Sequence, residues 1–181
     1  MQIPSLESER LLLRPLQHED AEFMETMCGD FAVSKYLERV PYPYPKGGAQ
    51  TFIDRQAKGF DGITYAISGE ESFMGMLNIR ASTERAVGAF APSIGYWLGE
   101  AFWGKGYMQE AIARLLNWYM PLEPTERIRS SVFEDNPRSL NLLSKLGFTE
   151  VGRGRSYSLA RGAEVIDIEL ELTADRYYGS A

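Results

Sequence analysis

The stretch from Ile94 to Ala113, which reads IGYWLGEAFWGKGYMQEAIA, constrains the fold of this 181-residue chain more than any other feature. Its apolar, aromatic start predicts a strand, which is followed by a short loop with Gly104 and Gly106 and then by an amphipathic pattern typical of a helix. Glycines in such a loop let successive backbone N–H groups converge, and the helix N-terminus adds about half a positive charge. The segment is therefore predicted to bind a phosphate or pyrophosphate group.

Size and composition predict an ordinary globular protein. The length suits a single domain over residues 1–181 with a sizeable core, and 44% hydrophobic with 24% charged residues is usual for such a chain. No apolar run approaches the about 20 residues of a membrane helix, and no signal-peptide pattern opens the chain. Cys28 is the only cysteine, which excludes an intrachain disulfide and a cysteine-rich zinc site. We expect a cytoplasmic protein with no metal and no membrane partner.

The net charge of -6 is distributed unevenly. Residues 101–162, which contain the glycine loop, are net basic, whereas residues 1–100 and 163–181 are net acidic. This pattern favours an anionic cofactor at the loop and a cationic or amine substrate near the acidic remainder. Binding to nucleic acid in general is disfavoured, because an acidic chain repels phosphate backbones.

The order of predicted elements is that of a mixed sheet with helices on its faces, an α+β (mixed α/β) fold. Hydrophobic periodicity predicts the elements and turn residues delimit them. The predicted strands and helices are a strand at Leu6–Leu16, helices at Asp20–Met27 and Gln50–Phe60, a hairpin of Ile63–Ser68 and Ser72–Ile79, a strand at Ser93–Leu98, a helix at Lys105–Tyr119 ended by Pro121 and Pro124, a strand at Arg127–Phe133, a short helix opened by Asn136-Pro137 and capped by Gly147, and a hairpin of Val151–Leu159 and Glu164–Leu172.

Gly-x-Gly alone does not identify the anion. No Gly-Lys-Ser or Gly-Lys-Thr is present, so a Walker A loop is excluded, and the hairpins before the glycines argue against a dinucleotide-binding fold. The second half of the chain adds EDNPRSLNLLSKLGF, an Asn-Pro helix start that ends in Lys-Leu-Gly-Phe. Together with the ERLLLRPL opening and IGYWL…WGKGYMQEA, this resembles the GNAT superfamily of acyl-CoA-dependent N-acyltransferases. The likeness is strongest to the branch that includes the ribosomal-protein N-terminal alanine acetyltransferases.

The resemblance implies a single GNAT-type domain with a mostly antiparallel mixed sheet of about seven strands splayed around an acyl-CoA slot, and about four helices. It implies acetyl-CoA as co-substrate, with the pyrophosphate held by backbone N–H groups from about Trp103 to Met108. Ala101 stands where the family loop usually has Gln or Arg. The backbone of Trp97–Gly99 would pair with the pantetheine amides. The implied cofactor-binding residues are Trp97, Leu98, Gly99, Trp103, Gly104, Lys105, Gly106, Tyr107, Met108, Asn136 and Ser139.

Several of these residues also have a plain structural interpretation. Asn136 would hydrogen-bond the pantetheine arm, cap the following helix, or do both. Lys105, Arg138 and Lys145 are candidates for the nucleotide phosphates or are solvated surface charges.

The implied reaction is direct attack of a neutral amine on the acetyl thioester, so the amine must lose a proton and the thiolate must be stabilised. The family's leaving-group tyrosine corresponds to Leu143 here, and is absent. The branch's serine corresponds to Ser139, whose hydroxyl could donate to the thiolate or simply suit a first helical turn. Tyr107 and Tyr157 are weaker candidates.

No carboxylate is singled out as the base. Glu84 and Glu100 lie near strand ends and His18 near a helix start, where surface positions are usual. A peptide α-amine, with a pKa of about 7.7–8.0, is partly neutral at pH 7, whereas a lysine amine at about 10.4 is almost wholly charged. The absence of an evident base therefore favours a protein N-terminus or another weakly basic amine as acceptor.

The acceptor pocket is predicted from the segment between the first two helices, where Tyr36, Tyr42 and Tyr44 could form its wall or merely pack within the loop. Three functions stay open. They are N-acetylation of a protein N-terminus, N-acetylation of a small amine (polyamine, amino acid or antibiotic), and a non-catalytic acyl-CoA-binding domain. The protein would be a monomer or a homodimer.

Overall fold

The computed structural model describes residues 3–59, 62–69, 72–80, 91–122 and 127–179. In these ranges an eight-stranded sheet has the order β1-β2-β3-β4-β5-β6-β8-β7, and six helical segments accompany it, four of them with nine or more residues. The elements are β1 (Leu6–Glu7), β2 (Leu12–Pro15), α1 (Asp20–Cys28), α2 (Phe31–Ser34), α3 (Gly48–Ala57), β3 (Ile63–Ser68), β4 (Phe73–Arg80), β5 (Ser93–Leu98), a 3-10 turn (Glu100–Phe102), α4 (Tyr107–Leu122), β6 (Arg127–Phe133), α5 (Pro137–Lys145), β7 (Thr149–Ser158), β8 (Ala163–Thr173) and α6 (Ala174–Gly179).

The sheet is antiparallel except where β5 and β6 lie side by side in parallel. These two strands pair at one position only, Ser93 opposite Arg129. The predicted α+β fold with a mostly antiparallel mixed sheet is thus confirmed, and the sheet divides into a β1–β5 half and a β6–β8 half that part beyond this pair. The division creates the space in which the site lies.

Helices cover the sheet on both faces. On one face α4 and α5 pack through fully buried apolar residues such as Ile112, Leu115 and Leu143. On the other face α1 and α3 enclose a second cluster that includes Met24, Ile53 and Trp97. Strand residues point alternately to the two faces, which explains why neighbouring residues of β5 belong to different clusters.

The structure differs from the sequence prediction at several boundaries. The predicted first strand is two strands, β1 and β2, joined by a tight turn in which Ser8 N–H donates to the Leu11 carbonyl (2.9 Å). The helix predicted to end before Pro121 continues to Leu122, because a proline in the last turn costs only one intrahelical hydrogen bond. The short helices α2 and α6 were not predicted, since four to six residues show no clear periodicity.

Parts of the prediction fall outside the described residues, namely Phe60, the turn at Glu70 and Glu71, residues 81–90 and Pro124. Within the described residues, no helix has both the length and the apolar character needed to cross a membrane.

Candidate active site

A cavity of about 410 Å³ occupies the split between β5 and β6. Residues of both strands, the loop before α4, the first turn of α4, helix α5, and α2 with the segment that follows it form its wall. The lining residues used below are Tyr36, Tyr96, Trp97, Leu98, Trp103, Gly104, Gly106, Tyr107, Met108, Ser131, Phe133, Asn136, Arg138, Ser139 and Lys145.

Hydrogen bonds fix which backbone groups of β5 point to β4. In an antiparallel pair, the backbone groups of alternate residues point to opposite neighbours. The N–H of Gly99 donates to the carbonyl of Met74 on β4 (3.0 Å). The backbone groups of Trp97, two residues earlier, point in the same direction. The backbone groups of Trp97 and Gly99 therefore face β4 and not the cavity.

The intervening residues, Tyr96 and Leu98, direct their backbone groups toward the split. The same alternation is seen at the start of the strand. There the Pro92 carbonyl accepts from a β6 backbone N–H (2.8 Å), and the Ile94 carbonyl accepts from the Ser130 hydroxyl (3.3 Å). Beyond this point the strands part, and β6 no longer pairs with β5. An extended, amide-bearing ligand can pair with the free edge as an added strand.

The loop before α4 has the backbone conformation that the two glycines were expected to permit. Gly104 has φ of 73° and Gly106 has φ of 80°, both in the left-handed region that favours glycine. The first N–H groups of a helix have no intrahelical acceptor, and α4 begins at Tyr107, directly at the cavity wall. This end of the cavity therefore offers converging donors to an anion.

An arginine clamp holds the loop in place. The backbone N–H and the Nε of Arg10 donate to the two carboxylate oxygens of Glu110 on α4 (2.8 and 2.7 Å), and its Nη1 donates to the Lys105 carbonyl (3.0 Å). The guanidinium lies over the Tyr107 ring, 4.7 Å from its centroid. Although burial alone would raise the pKa of Glu110, the hydrogen bonds from Arg10 and from the Ser8 hydroxyl lower it. The N-terminus of α4 is thus attached to the β1–β2 turn.

A side chain at Gly106 is expected to weaken binding of CoA about tenfold. Positive φ costs an L-residue about 1–2 kcal/mol, and the new Cβ would lie 3.4 Å from the Arg10 guanidinium. The unliganded loop of the variant relieves this strain by leaving the conformation that the ligand needs, so CoA binding must restore it and loses that free energy. Titration calorimetry of Gly106→Ala with CoA would measure the loss. Gly47→Ala is a matched control, because Gly47 has φ of 75° but lies away from the cavity, so it should lower stability without changing the CoA affinity. Equal CoA affinities for both variants would contradict the role of the loop.

A pair of hydroxyl groups lies between β5 and α5. The oxygens of Tyr96 and Ser139 are 2.7 Å apart, and either one could be the donor. Burial raises the pKa of Tyr96, an effect that the hydrogen bond to Ser139 only partly offsets, so the phenol stays protonated at neutral pH. The Asn136 side-chain oxygen accepts from the Ser139 backbone N–H (3.2 Å) and caps α5. Tyr96 is a site residue that the sequence analysis missed, although it lies within the strand motif itself.

The structure brings most of the expected cofactor residues to the cavity. Nine of them line it: Trp97, Leu98, Trp103, Gly104, Gly106, Tyr107, Met108, Asn136 and Ser139. Gly99 and Lys105 do not. Of Trp97–Gly99, only Leu98 directs its backbone to the cavity, and its carbonyl also accepts from the Trp103 indole N–H (2.8 Å).

Two of the three expected phosphate-binding cations line the cavity, Arg138 and Lys145, both on α5. Arg138 also lies over the Trp103 ring, 5.0 Å from its centroid, so part of its surface is used for packing. Lys105 contributes its carbonyl to the arginine clamp and its side chain is exposed.

Of the three tyrosines expected at the acceptor pocket, only Tyr36 lines the cavity. Tyr42 is half-exposed and packs on Phe31, with ring centroids 5.1 Å apart. Tyr44 packs against the cluster between α1 and α3, where burial raises its pKa to about 12. These two rings support the loop between α2 and α3 and do not face this cavity.

None of the candidate bases reaches the cavity in the described structure. Glu100 and His18 are exposed and do not line it, and Glu84 lies outside the described residues. Of the weaker candidates for the acid, Tyr107 lines the cavity and Tyr157 is exposed on β7.

Comparison with known proteins gives a consistent result. A family model described as an acetyltransferase (GNAT) domain matches residues 10–149. The uncharacterized N-acetyltransferase p20 of Bacillus licheniformis is 29% identical over 181 residues, which cover 96% of this chain and 98% of p20.

Two solved structures share the fold. RimJ of Mycobacterium smegmatis in complex with CoA-disulfide aligns with a TM-score of 0.76 at 19% identity, over 94% of this chain and 88% of RimJ. Spermidine N-acetyltransferase of Vibrio cholerae in complex with CoA and spermine aligns with a TM-score of 0.77 at 16% identity, over 94% and 99%. Because the family model matches well over half of its residues, this chain belongs to the GNAT family of acetyltransferases.

Proposed function

We propose that this acetyltransferase moves an acetyl group from acetyl-CoA to a primary amine by direct attack, with the pantetheine arm in the split between β5 and β6. The observation that carries the proposal is the free edge of β5, where the backbone groups of Tyr96 and Leu98 face the cavity. An arm with two amides fits such an edge in the way that an added strand does. The fold neighbours with bound CoA support the same ligand.

The two ends of the cavity have different roles in this proposal. The N–H groups at the start of α4 receive the pyrophosphate, and Arg138 and Lys145 lie close enough along the cavity wall to add positive charge. At the other end, the acetyl group would lie near the paired hydroxyls of Tyr96 and Ser139. Asn136 uses its side-chain oxygen for the helix cap, so its amide nitrogen is the group left for the ligand.

Ser139 is the proposed donor to the leaving thiolate. The developing negative charge on sulfur is stabilised by a positioned O–H, and Tyr96 can donate in turn to the Ser139 oxygen, which makes Ser139 a better donor. This arrangement performs the task of the tyrosine that the chain lacks at Leu143, a fully buried core residue.

The α-amine of a protein N-terminus is the proposed acceptor, with a small amine as the alternative. The resemblance to the ribosomal-protein branch and the fold of RimJ support the first. The fold of a spermidine acetyltransferase and the acidic remainder of the chain support the second. A chain that bound CoA without turnover would be an acyl-CoA-binding domain.

Thiol release from acetyl-CoA tests the proposal directly. The purified protein would be assayed with peptides beginning with Ala, Ser or Met, and with spermidine, free amino acids and an aminoglycoside. We expect release with at least one peptide. Release with small amines alone would replace the proposed acceptor by the alternative, and CoA binding without any release would contradict the proposed activity.

A further inference from the structure

Asp167 on β8 is a buried carboxylate whose charge no cation among the described residues neutralises. Asp167 is one of three acidic residues in the described part of the chain that have at most 8% of their surface exposed. Asp20 is bound by Arg14, and Glu171 is bound by Arg129 (2.7 and 2.8 Å).

The partners of Asp167 are neutral. One carboxylate oxygen, Oδ2, accepts from the hydroxyls of Ser131 (2.7 Å) and Ser156 (3.1 Å). The other oxygen, Oδ1, is buried and has no hydrogen-bond partner in the described structure. Burying a carboxylate with so few partners costs free energy, so a cationic group in the neighbouring cavity would be attracted to it.

Ser131 connects this carboxylate to the active-site cavity. It lies on β6 immediately after Ser130, whose hydroxyl reaches β5 at the point where the two strands part. Because strand residues alternate, Ser131 faces the opposite side of the sheet, where it lines the cavity and donates to Asp167. A hydroxyl that touches both the cavity and a buried carboxylate can pass a proton from one to the other.

Within the part of the chain that the structure describes, the other charged groups on this face do not neutralise Asp167. From β6, Arg129 is bound to Glu171, and from β8 itself Glu169 adds a second negative charge. Glu169 is near enough that a side chain at Gly154 would meet Oε1 of Glu169 at 3.4 Å and Oδ1 of Asp167 at 3.3 Å.

The remaining neighbours of Asp167 are paired with other groups or carry no charge. At the end of the sheet Arg161 lies over the Phe133 ring, and it is bound to Asp135 through two hydrogen bonds (2.7 and 3.0 Å). The facing residues of β7, Gly154 and Ser156, carry no charge.

We propose that Ser131 and Asp167 remove the proton of the acceptor ammonium. The proposal rests on the proposed amine acetylation and extends its substrates to amines that are protonated at neutral pH. Ser131 touches the acceptor, and Asp167 is a positioning and proton-accepting residue that acts through it. The ammonium gives a proton to the Ser131 oxygen as the hydroxyl proton of Ser131 passes to Oδ2 of Asp167.

The remaining steps balance around this transfer. The neutral nitrogen attacks the thioester carbonyl carbon, the C–N bond forms, and the C–S bond breaks with its electron pair going to sulfur. Sulfur takes a proton from Ser139, and the proton that the nitrogen sheds on becoming an amide restores that hydroxyl. The proton on Asp167 leaves to solvent after the products, and the products are an amide, CoA thiol and one proton.

The test is the pH profile of kcat/KM for Asp167→Asn, with the amine from the panel that releases CoA fastest, for example a peptide beginning with Ala. The wild-type value should rise about two- to threefold from pH 8 to pH 6, because the enzyme accepts the ammonium, whose fraction grows by that factor. The variant should fall about 40-fold over that range, since it depends on the neutral fraction of an α-amine with a pKa of about 7.7–8.0. Ser131→Ala should show the same slope.

Matched variants separate this role from a structural one. Ser156→Ala removes a hydrogen bond to the same oxygen of Asp167 but has no contact with the cavity, so it should keep the wild-type slope. Parallel profiles for wild type and Asp167→Asn, or an equal loss at every pH, would overturn the proposal.

Thermal unfolding gives a second readout that does not depend on activity. Asp167→Asn should keep or raise Tm, because it removes an uncompensated buried charge, whereas Glu171→Gln should lower Tm, because it removes the carboxylate charge that pairs with Arg129. A drop of several degrees in Asp167→Asn would show that the carboxylate is structural and would overturn the proposal. Absence of CoA release by the wild type with every amine would instead refute the proposed function, and this inference with it.

Discussion

Replacing Ser139 with alanine is expected to lower kcat by a factor on the order of 10² to 10³, with little change in KM for acetyl-CoA. A positioned donor at the atom that becomes charged stabilises the transition state more than the ground state, and losses of this size follow removal of one such donor. The helix should not be disturbed, because the Asn136 cap binds the Ser139 backbone N–H, which alanine keeps. Steady-state thiol release with the accepted amine would measure both constants.

Two further variants test whether the loss in kcat is specific to the Ser139 hydroxyl. Ser144→Ala, an exposed serine on the same helix outside the cavity, should leave kcat unchanged. Tyr96→Phe removes the partner of Ser139 but not the donor itself, so a smaller loss of about 3- to 10-fold is expected, the value of one net hydrogen bond. If Ser139→Ala kept kcat within twofold and raised only the KM for acetyl-CoA, Ser139 would be a binding residue and the leaving group would depart without it.

The sequence was sufficient for the architecture because the architecture depends on periodicity and on special backbone positions. The strand, glycine loop and helix from Ile94 onward are visible as a change of hydrophobic period, with Gly104 and Gly106 at positions of positive φ. Short elements such as α2 are too brief to show a period, and the tight turn between β1 and β2 contains neither Gly nor Pro to mark it in the sequence.

The site was predicted less completely, because it depends on the direction in which strand backbone groups point and on contacts between residues distant in sequence. A strand motif does not reveal which of its backbone groups face the neighbour, so Trp97 and Gly99 were expected to pair with a ligand although they face β4. Tyr42 and Tyr44 share a loop with Tyr36, yet only Tyr36 turns to the cavity.

Asp167 is the clearest example of a residue whose surroundings the sequence does not reveal. In the sequence it is one carboxylate among several in an alternating strand, and nothing local distinguishes it from Glu169 or Glu171. What distinguishes Asp167 is its hydrogen bond from Ser131 on β6, a residue 36 positions earlier in the chain. Only the three-dimensional pairing shows which of these carboxylates has no described cation beside it and is hydrogen-bonded to a residue of the cavity wall.

Asp20→Asn is expected to lower the free energy of unfolding by about 3–5 kcal/mol, since it leaves the Arg14 guanidinium without its partner in a half-buried position. The Asp20 side chain is almost fully buried, accepts two hydrogen bonds from Arg14 (2.8 and 2.7 Å), and also accepts from the Gln17 backbone N–H (2.8 Å). Asp20 opens α1, so this pair attaches the helix to β2. Urea denaturation would measure the loss, and Glu22→Gln, an exposed change in the same helical turn, should have little effect.

A double variant shows whether the loss of stability in Asp20→Asn comes from losing the ion pair or from the charge that is left unpaired. Replacing both residues, as Arg14→Met with Asp20→Leu, removes the buried charges together, and apolar replacements of a buried ion pair are often close to neutral. We therefore expect the double variant to be more stable than Asp20→Asn alone. If it were no more stable, the isolated guanidinium would not be the main cost of Asp20→Asn, because the double variant lacks that charge and additionally loses the acceptor for the Gln17 backbone N–H.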